Sequence, residues 1–110
     1  MLSPEAMIEL FIHSARDGDM AIVEGVMGLY DGRNGLGSIG STAEIAKWLS
    51  APVILVVNVA GMSESAAAIA LGYRQLDRAV DIAGVILNQV ASPSHLRLVT
   101  EAIEKRAPCP

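Results

Sequence analysis

The spacing of apolar and polar positions divides the chain into seven segments. Ser3, Pro4 and Glu5 combine an N-cap residue, a proline suited to the first helical position and an acid at the helix's positive end. A first helix is predicted from there. Ile8, Phe11, Ile12 and Ala15 recur at helical spacing on one predicted inward face, and Gly18 offers a stop. Met20, Ala21, Ile22 and Val23 are too few and too uniformly apolar for an amphipathic helix, so they read as a strand buried on both faces and ending at Glu24. Ser41, Thr42, Ala43 and Glu44 fit a capping box that opens a second helix through Trp48 and Leu49, closed by Pro52.

The second half repeats the alternation. Residues 53–57 form a second predicted strand ending at Asn58. Ser63 caps a third predicted helix with Ala66, Ile69, Ala70, Tyr73 and Leu76 on its apolar face. Residues 82–87 form a third strand ending at Asn88. Ser92 and Pro93 start a fourth helix that turns Leu96, Val99 and Ile103 inward and places Lys105 and Arg106 at its negative end. Helices alternating with short apolar strands predict an α/β fold, a parallel sheet flanked by helices. In such sheets ligands bind beyond the carboxyl ends of the strands, so Glu24, Asn58 and Asn88 line one expected rim. A polar residue at one strand end is unremarkable by itself, and three together point to a site.

Composition narrows the class. The 110 residues are 52% apolar and only 4% aromatic, which predicts a core of small and aliphatic side chains. A net charge of −4 without a basic stripe argues against nucleic acid as a partner. The longest apolar run stops at Asn58, well short of the ~20 residues needed to span a bilayer. The single cysteine, Cys109, excludes a disulfide framework, and a cytoplasmic setting is expected.

The informative stretch lies between the first two predicted strands. Six glycines fall between Gly25 and Gly40, and loops of that length inside compact domains usually carry function. A carboxylate at a buried strand's end followed by glycines is one way to hold Mg²⁺ against phosphates. The competing reading is an acid entering a solvated loop. Gly35 to Gly40 matches G-x-G-x-x-G, but the motif does not follow a strand directly and no acid ends the next one, so it reads as a mobile lid rather than a dinucleotide fingerprint. His13 and His95 share no metal-ligand spacing and read as surface or capping residues. Trp48 and Tyr73 read as core.

The loop Val23-Glu24-Gly25-Val26-Met27-Gly28-Leu29-Tyr30-Asp31-Gly32 resembles the signature of the cobyrinic acid a,c-diamide synthase family. The similarity continues through residues 40–47, 51–57, Gly61-Met62, Ser65-Ala66-Ala67, 83–88, Val90, Ser92 and His95, nearly the whole chain. The resemblance implies a P-loop NTPase-like fold of the dethiobiotin-synthetase type. It also implies an enzyme that uses ATP and Mg²⁺ to activate two acetate carboxylates of a corrin, then aminates them with ammonia from glutamine.

Carried over residue by residue, Glu24 is the Mg²⁺ and phosphate-side carboxylate, and Asp31 belongs to the acidic set near the reacting substrate carboxylate. The resemblance also places Asn88 where an asparagine is expected to face the adenine, and Ser41 and Thr42, at a helix N-terminus, are candidates to contact an anionic group. Tyr30, beside Asp31, suits a flat macrocycle. Asn58, Gln89 and Glu64 depart from the family pattern, where Asp, a basic residue and Arg are expected, and so loosen the peripheral contacts.

The chain contains no G-x-x-x-x-G-K-[ST] phosphate cradle, and Cys109 lacks the setting of a glutaminase nucleophile. An internal fragment of a larger synthetase is therefore expected, inactive alone and inclined to form homodimers through exposed apolar surface. Amidoligases of other tetrapyrroles (nickel sirohydrochlorin, or cobyric acid synthesis), a partitioning-type ATPase and a non-catalytic scaffold remain as alternatives.

Overall fold

The computed structural model describes residues 3–32 and 40–108. The chain separates into two compact units, Met1–Ala51 and Pro52–Pro110.

The first unit is helical. Helix α1 (Pro4–Ala15) starts as its sequence dictates: Ser3 Oγ accepts the Ala6 amide at 3.1 Å and Pro4 occupies the first turn. Helix α2 (Thr42–Trp48) is capped by Ser41, whose Oγ accepts the Glu44 amide at 3.1 Å. Each bond satisfies an amide that the first helical turn leaves without a partner.

Two expectations for this unit fail. None of α1's residues is buried, although its apolar spacing predicts an inward face, and Ile12 is 61% exposed. Residues 20–23 form no strand, and Ile22 is 88% exposed. The reason is pairing. An apolar run becomes a strand only when a neighbour takes up its amides and carbonyls. The only ladder among the described residues joins two strands of the other unit.

The second unit is a β-α-β-α arrangement. Strand β1 (Val53–Asn58) pairs in parallel with β2 (Ile82–Asn88) across the crossover helix α3 (Glu64–Leu76), and α4 (Pro93–Arg106) follows. The register sets Leu55 opposite Val85, Val57 opposite Leu87 and Asn58 opposite Asn88. Gly84 faces Ile54, where a Cβ would stand 3.3 Å from the Ile54 Cδ1 methyl, so glycine gives that branched side chain its room. Leu55 and Val57 point into the core, while Ile54, Val56 and Ile86 on the opposite face are each more than half exposed.

Helix α3 buries Ala66, Ala67 and Ala70, and the small side chains let its backbone approach its neighbours closely. It packs mainly on α4, which buries Val99, Ala102 and Ile103. Leu76 and Leu96, expected inward, are exposed. Ser63 occupies the N-cap position of α3 without a side-chain capping bond, because its backbone is not in the extended conformation that aims the hydroxyl at the helix. Arg106 pairs with Glu64 at 2.7 Å, which ties the end of α4 to the start of α3. Both partners are more than half exposed, so the pair fixes geometry more than it adds stability.

The core assignment is testable by truncation. Val99 is fully buried, and Val99→Ala is expected to lower unfolding free energy by about 2 kcal/mol in urea titration, the loss of two methyl groups plus the cavity they leave. Leu76→Ala is expected to change it by less than ~0.5 kcal/mol. Equal losses at both positions would contradict the packing described.

Candidate functional site

The glycine-flanked loop of the first unit owes its shape to two close approaches. At Gly25, immediately after Glu24, a Cβ would lie 2.8 Å from Thr42 Oγ1 and 2.9 Å from its Cγ2, so the chain passes directly against the first residue of α2. At Gly28 a Cβ would collide with the Asp31 Oδ2 atom. The Asp31 side chain thus folds back over Gly28. The same four residues close a turn in which the Asp31 amide donates to the Gly28 carbonyl at 2.9 Å.

A further bond fixes this turn to the helix. The Ala43 amide donates to the Leu29 carbonyl at 2.9 Å, and Leu29 is buried. Leu29 is therefore the anchor from which Tyr30, half-buried, and Asp31, exposed, project. Ser41 is buried and its hydroxyl is engaged at the helix start, whereas Thr42 is half-buried against Gly25. Glu24 is exposed. Loop residues Gly25 and Leu29 and the start of α2 are thus brought together. Residues 33–39 of the glycine-rich stretch, with most of the G-x-G-x-x-G match, and Cys109 lie outside the described residues.

In the second unit the two asparagines share the carboxyl rim of the strand pair, opposite one another in register. The Val59 amide extends the pairing by donating to the Asn88 carbonyl at 3.0 Å. Asn58 Oδ1 accepts the Ala60 amide at 3.0 Å, which closes a local turn. Asn88 is exposed, and Gln89 after it holds a left-handed backbone, φ 62°. A hollow of about 360 Å³ lined by Arg74, Arg78, Asp81 and Ile82 sits at the start of β2, the end away from the asparagines. Ligands of open parallel sheets bind at the carboxyl end, so the rim is the candidate site and the hollow is not.

One residue on this rim was only faintly visible in the sequence. His95 reaches from the first turn of α4 to both connecting loops, accepting the Ala91 amide at Nδ1 and bonding the Met62 carbonyl through Nε2. The available signal was its position three residues after a Ser-Pro cap, which supports the capping reading. His13 lies exposed beside Arg16.

The described residues gather no cluster of three or more His, Cys, Asp or Glu side chains, so there is no all-protein metal cage among them. Mg²⁺ does not require one. It commonly binds through one or two carboxylates together with phosphate oxygens and waters, and the exposed Glu24 carboxylate fits that mode.

Parallel strands joined through a crossover helix, with polar residues at their carboxyl rim, define an α/β domain of the parallel-sheet class. A protein-family model described as AAA domain matches residues 4–110, and the chain belongs to that family, of P-loop NTPase type. It is 59% identical over all 110 residues to the cobyrinate a,c-diamide synthase of Dehalococcoides mccartyi, covering 24% of that protein. It is 51% identical over 104 residues to the hydrogenobyrinate a,c-diamide synthase of Streptomyces coelicolor, with 94% of this chain and 21% of that protein aligned. The cobyrinate a,c-diamide synthase of Archaeoglobus fulgidus is 49% identical over 107 residues, 97% of this chain and 23% of that protein. The family resemblance read from the loop is therefore borne out. The chain spans about a quarter of the length of these relatives. No solved structure matches it. None of its described helices is long and apolar enough to cross a membrane.

The contact at Gly25 can be tested by a pair of substitutions. Gly25→Ala is expected to cost about 1–3 kcal/mol of stability, since the β-branched Thr42 cannot swing away. Thr42→Ala in the same protein should recover most of that loss, because both nearest atoms are removed. Additive losses in a denaturant-based double-mutant cycle would disprove the contact.

Proposed function

We propose that the chain is the nucleotide-binding portion of a glutamine-dependent, ATP-driven amidoligase that converts the a and c acetate side chains of cobyrinate to amides. The observation that carries this reading is the turn at residues 28–31, with its carboxylate folded over Gly28 and its anchor on α2, in a chain 59% identical to an a,c-diamide synthase. The rest of such an enzyme supplies a P-loop upstream and a glutaminase domain downstream. The fragment alone is inactive in this account.

Residue roles follow from position and chemistry. Glu24, exposed at the start of the loop, holds Mg²⁺ against the phosphates. Asn88 offers an amide whose donor and acceptor match the edge of adenine. Asp31, seven residues beyond Glu24, serves the substrate side, orienting the acetate carboxylate and the amine that replaces its oxygen. Tyr30 shapes the wall for the macrocycle. Ser41 and Thr42 border the anionic end of the site, with Ser41 holding the loop's support through its cap. When bound, ATP supplies the phosphoryl group that activates the carboxylate, and Mg²⁺ offsets the charge on the phosphates.

This division of labour predicts different kinetics for the two acids in the full-length synthetase. Glu24→Gln should lower turnover by at least ~100-fold without loss of folding, the scale of one preorganised electrostatic contact. Asp31→Asn should depress kcat for amidation while leaving ATP affinity nearly unchanged, because the lost interaction forms chiefly in the transition state. Steady-state amidation with ATP and cobyrinate varied separately, beside a nucleotide titration, distinguishes the cases. Collapse of ATP affinity in the Asp31 variant would move that residue to the metal and phosphate side.

A further inference from the structure

The imidazole of His95 is held by two main-chain groups that together select one tautomer. The Ala91 amide can only donate, so Nδ1, 3.0 Å away, accepts and carries no proton. The Met62 carbonyl can only accept, so Nε2, 2.6 Å away, carries the proton and donates it. The two bonds together select the Nε2–H tautomer. The His95 amide is bound as well, donating to Ser92 Oγ at 3.1 Å as the capped start of α4.

These bonds close a circuit around the rim. Met62 lies in the connection that follows β1, four residues past Asn58, and Ala91 lies in the connection that follows β2, three residues past Asn88. The Asn88 carbonyl binds the Val59 amide, the Val59 carbonyl binds the Met62 amide at 2.9 Å, the Met62 carbonyl binds His95, and His95 returns to Ala91. Inside this circuit Gln89 keeps a left-handed backbone that a non-glycine residue adopts only when its surroundings impose it. The His95 bond to Ala91 anchors the connection that carries Gln89 on its far side from Asn88.

We propose that His95 is a positioning residue for base recognition: by joining the loops that leave β1 and β2, it sets the direction in which Asn88 presents its amide. This rests on the reading that Asn88 faces the adenine. His95 itself touches neither nucleotide nor corrin in this account.

The test uses the full-length synthetase with ATP and GTP as alternative nucleotides, and compares His95→Ala, His95→Asn, Asn88→Ala and the double variant His95→Ala/Asn88→Ala. His95→Ala is expected to raise the KM for ATP and to reduce ATP-over-GTP discrimination about tenfold, with kcat nearly unchanged. His95→Asn keeps an acceptor near the Nδ1 position and should recover part of that discrimination. In the Asn88→Ala background, His95→Ala should lower discrimination no further, since both act through one contact. Loss of discrimination in Asn88→Ala but not in His95→Ala would overturn the role of His95 and leave the reading of Asn88 standing. Unchanged discrimination in Asn88→Ala would overturn the reading itself, and the role of His95 with it. Should His95→Ala fail to fold, ¹⁵N NMR of the wild-type ring decides: a proton on Nδ1 at neutral pH breaks the circuit and the proposal, and a neutral Nε2–H ring supports it.

Discussion

Parallel pairing of β1 with β2 is the constraint from which the second unit follows. Two parallel neighbours cannot be joined by a tight turn, so the chain must cross back through α3 and both strands must finish on the same side. Register then does the rest. With Leu55 opposite Val85 and Val57 opposite Leu87, Asn58 and Asn88 arrive side by side, and the loops that follow them start from one rim. A one-residue slip would bring Leu55 and Val57 out of the core. Burial of those side chains therefore also holds the polar rim in place.

The loop of the first unit is held by a different device. Its shape comes from close contact where a Cβ would not fit, at Gly25 against Thr42 and at Gly28 against Asp31, and from one main-chain bond between Leu29 and Ala43. Such a loop spends little side-chain bulk on its own structure and leaves Glu24 and Asp31 accessible. The second face of the strand pair is less complete. Parallel sheets are ordinarily covered on both faces, yet Ile54, Val56 and Ile86 stand in solvent, in a chain a quarter as long as its relatives.

Much of this was legible in the sequence because the signals were local. Ser3-Pro4 and Ser92-Pro93 announced helix starts, Ser41 announced its cap, and the apolar runs ending at Asn58 and Asn88 were strands. What escaped depends on partners far along the chain or outside it. Residues 20–23 carry the same apolar pattern whether or not a neighbouring strand exists to pair with them, and the spacing of Ile8, Phe11 and Ile12 does not reveal whether anything lies beneath it. Ser63 is the right residue in the wrong backbone conformation. At the site, strand ends named Glu24 and Asn88 as candidates and the family resemblance added Asp31, but the fold of Asp31 over Gly28 and the two bonds of His95 depend on the folded chain.

The proposed function makes this chain part of an enzyme that would activate a substrate carboxylate with the terminal phosphoryl group of ATP before amination. Isotope transfer tests it most directly. Cobyrinate labelled with ¹⁸O in its a and c carboxylates is converted by the full-length protein with ATP, Mg²⁺ and glutamine, and the recovered phosphate is analysed by mass spectrometry. The account predicts one ¹⁸O atom in inorganic phosphate for each amide formed. Amide formation with unlabelled phosphate, or with the label in AMP, would contradict it.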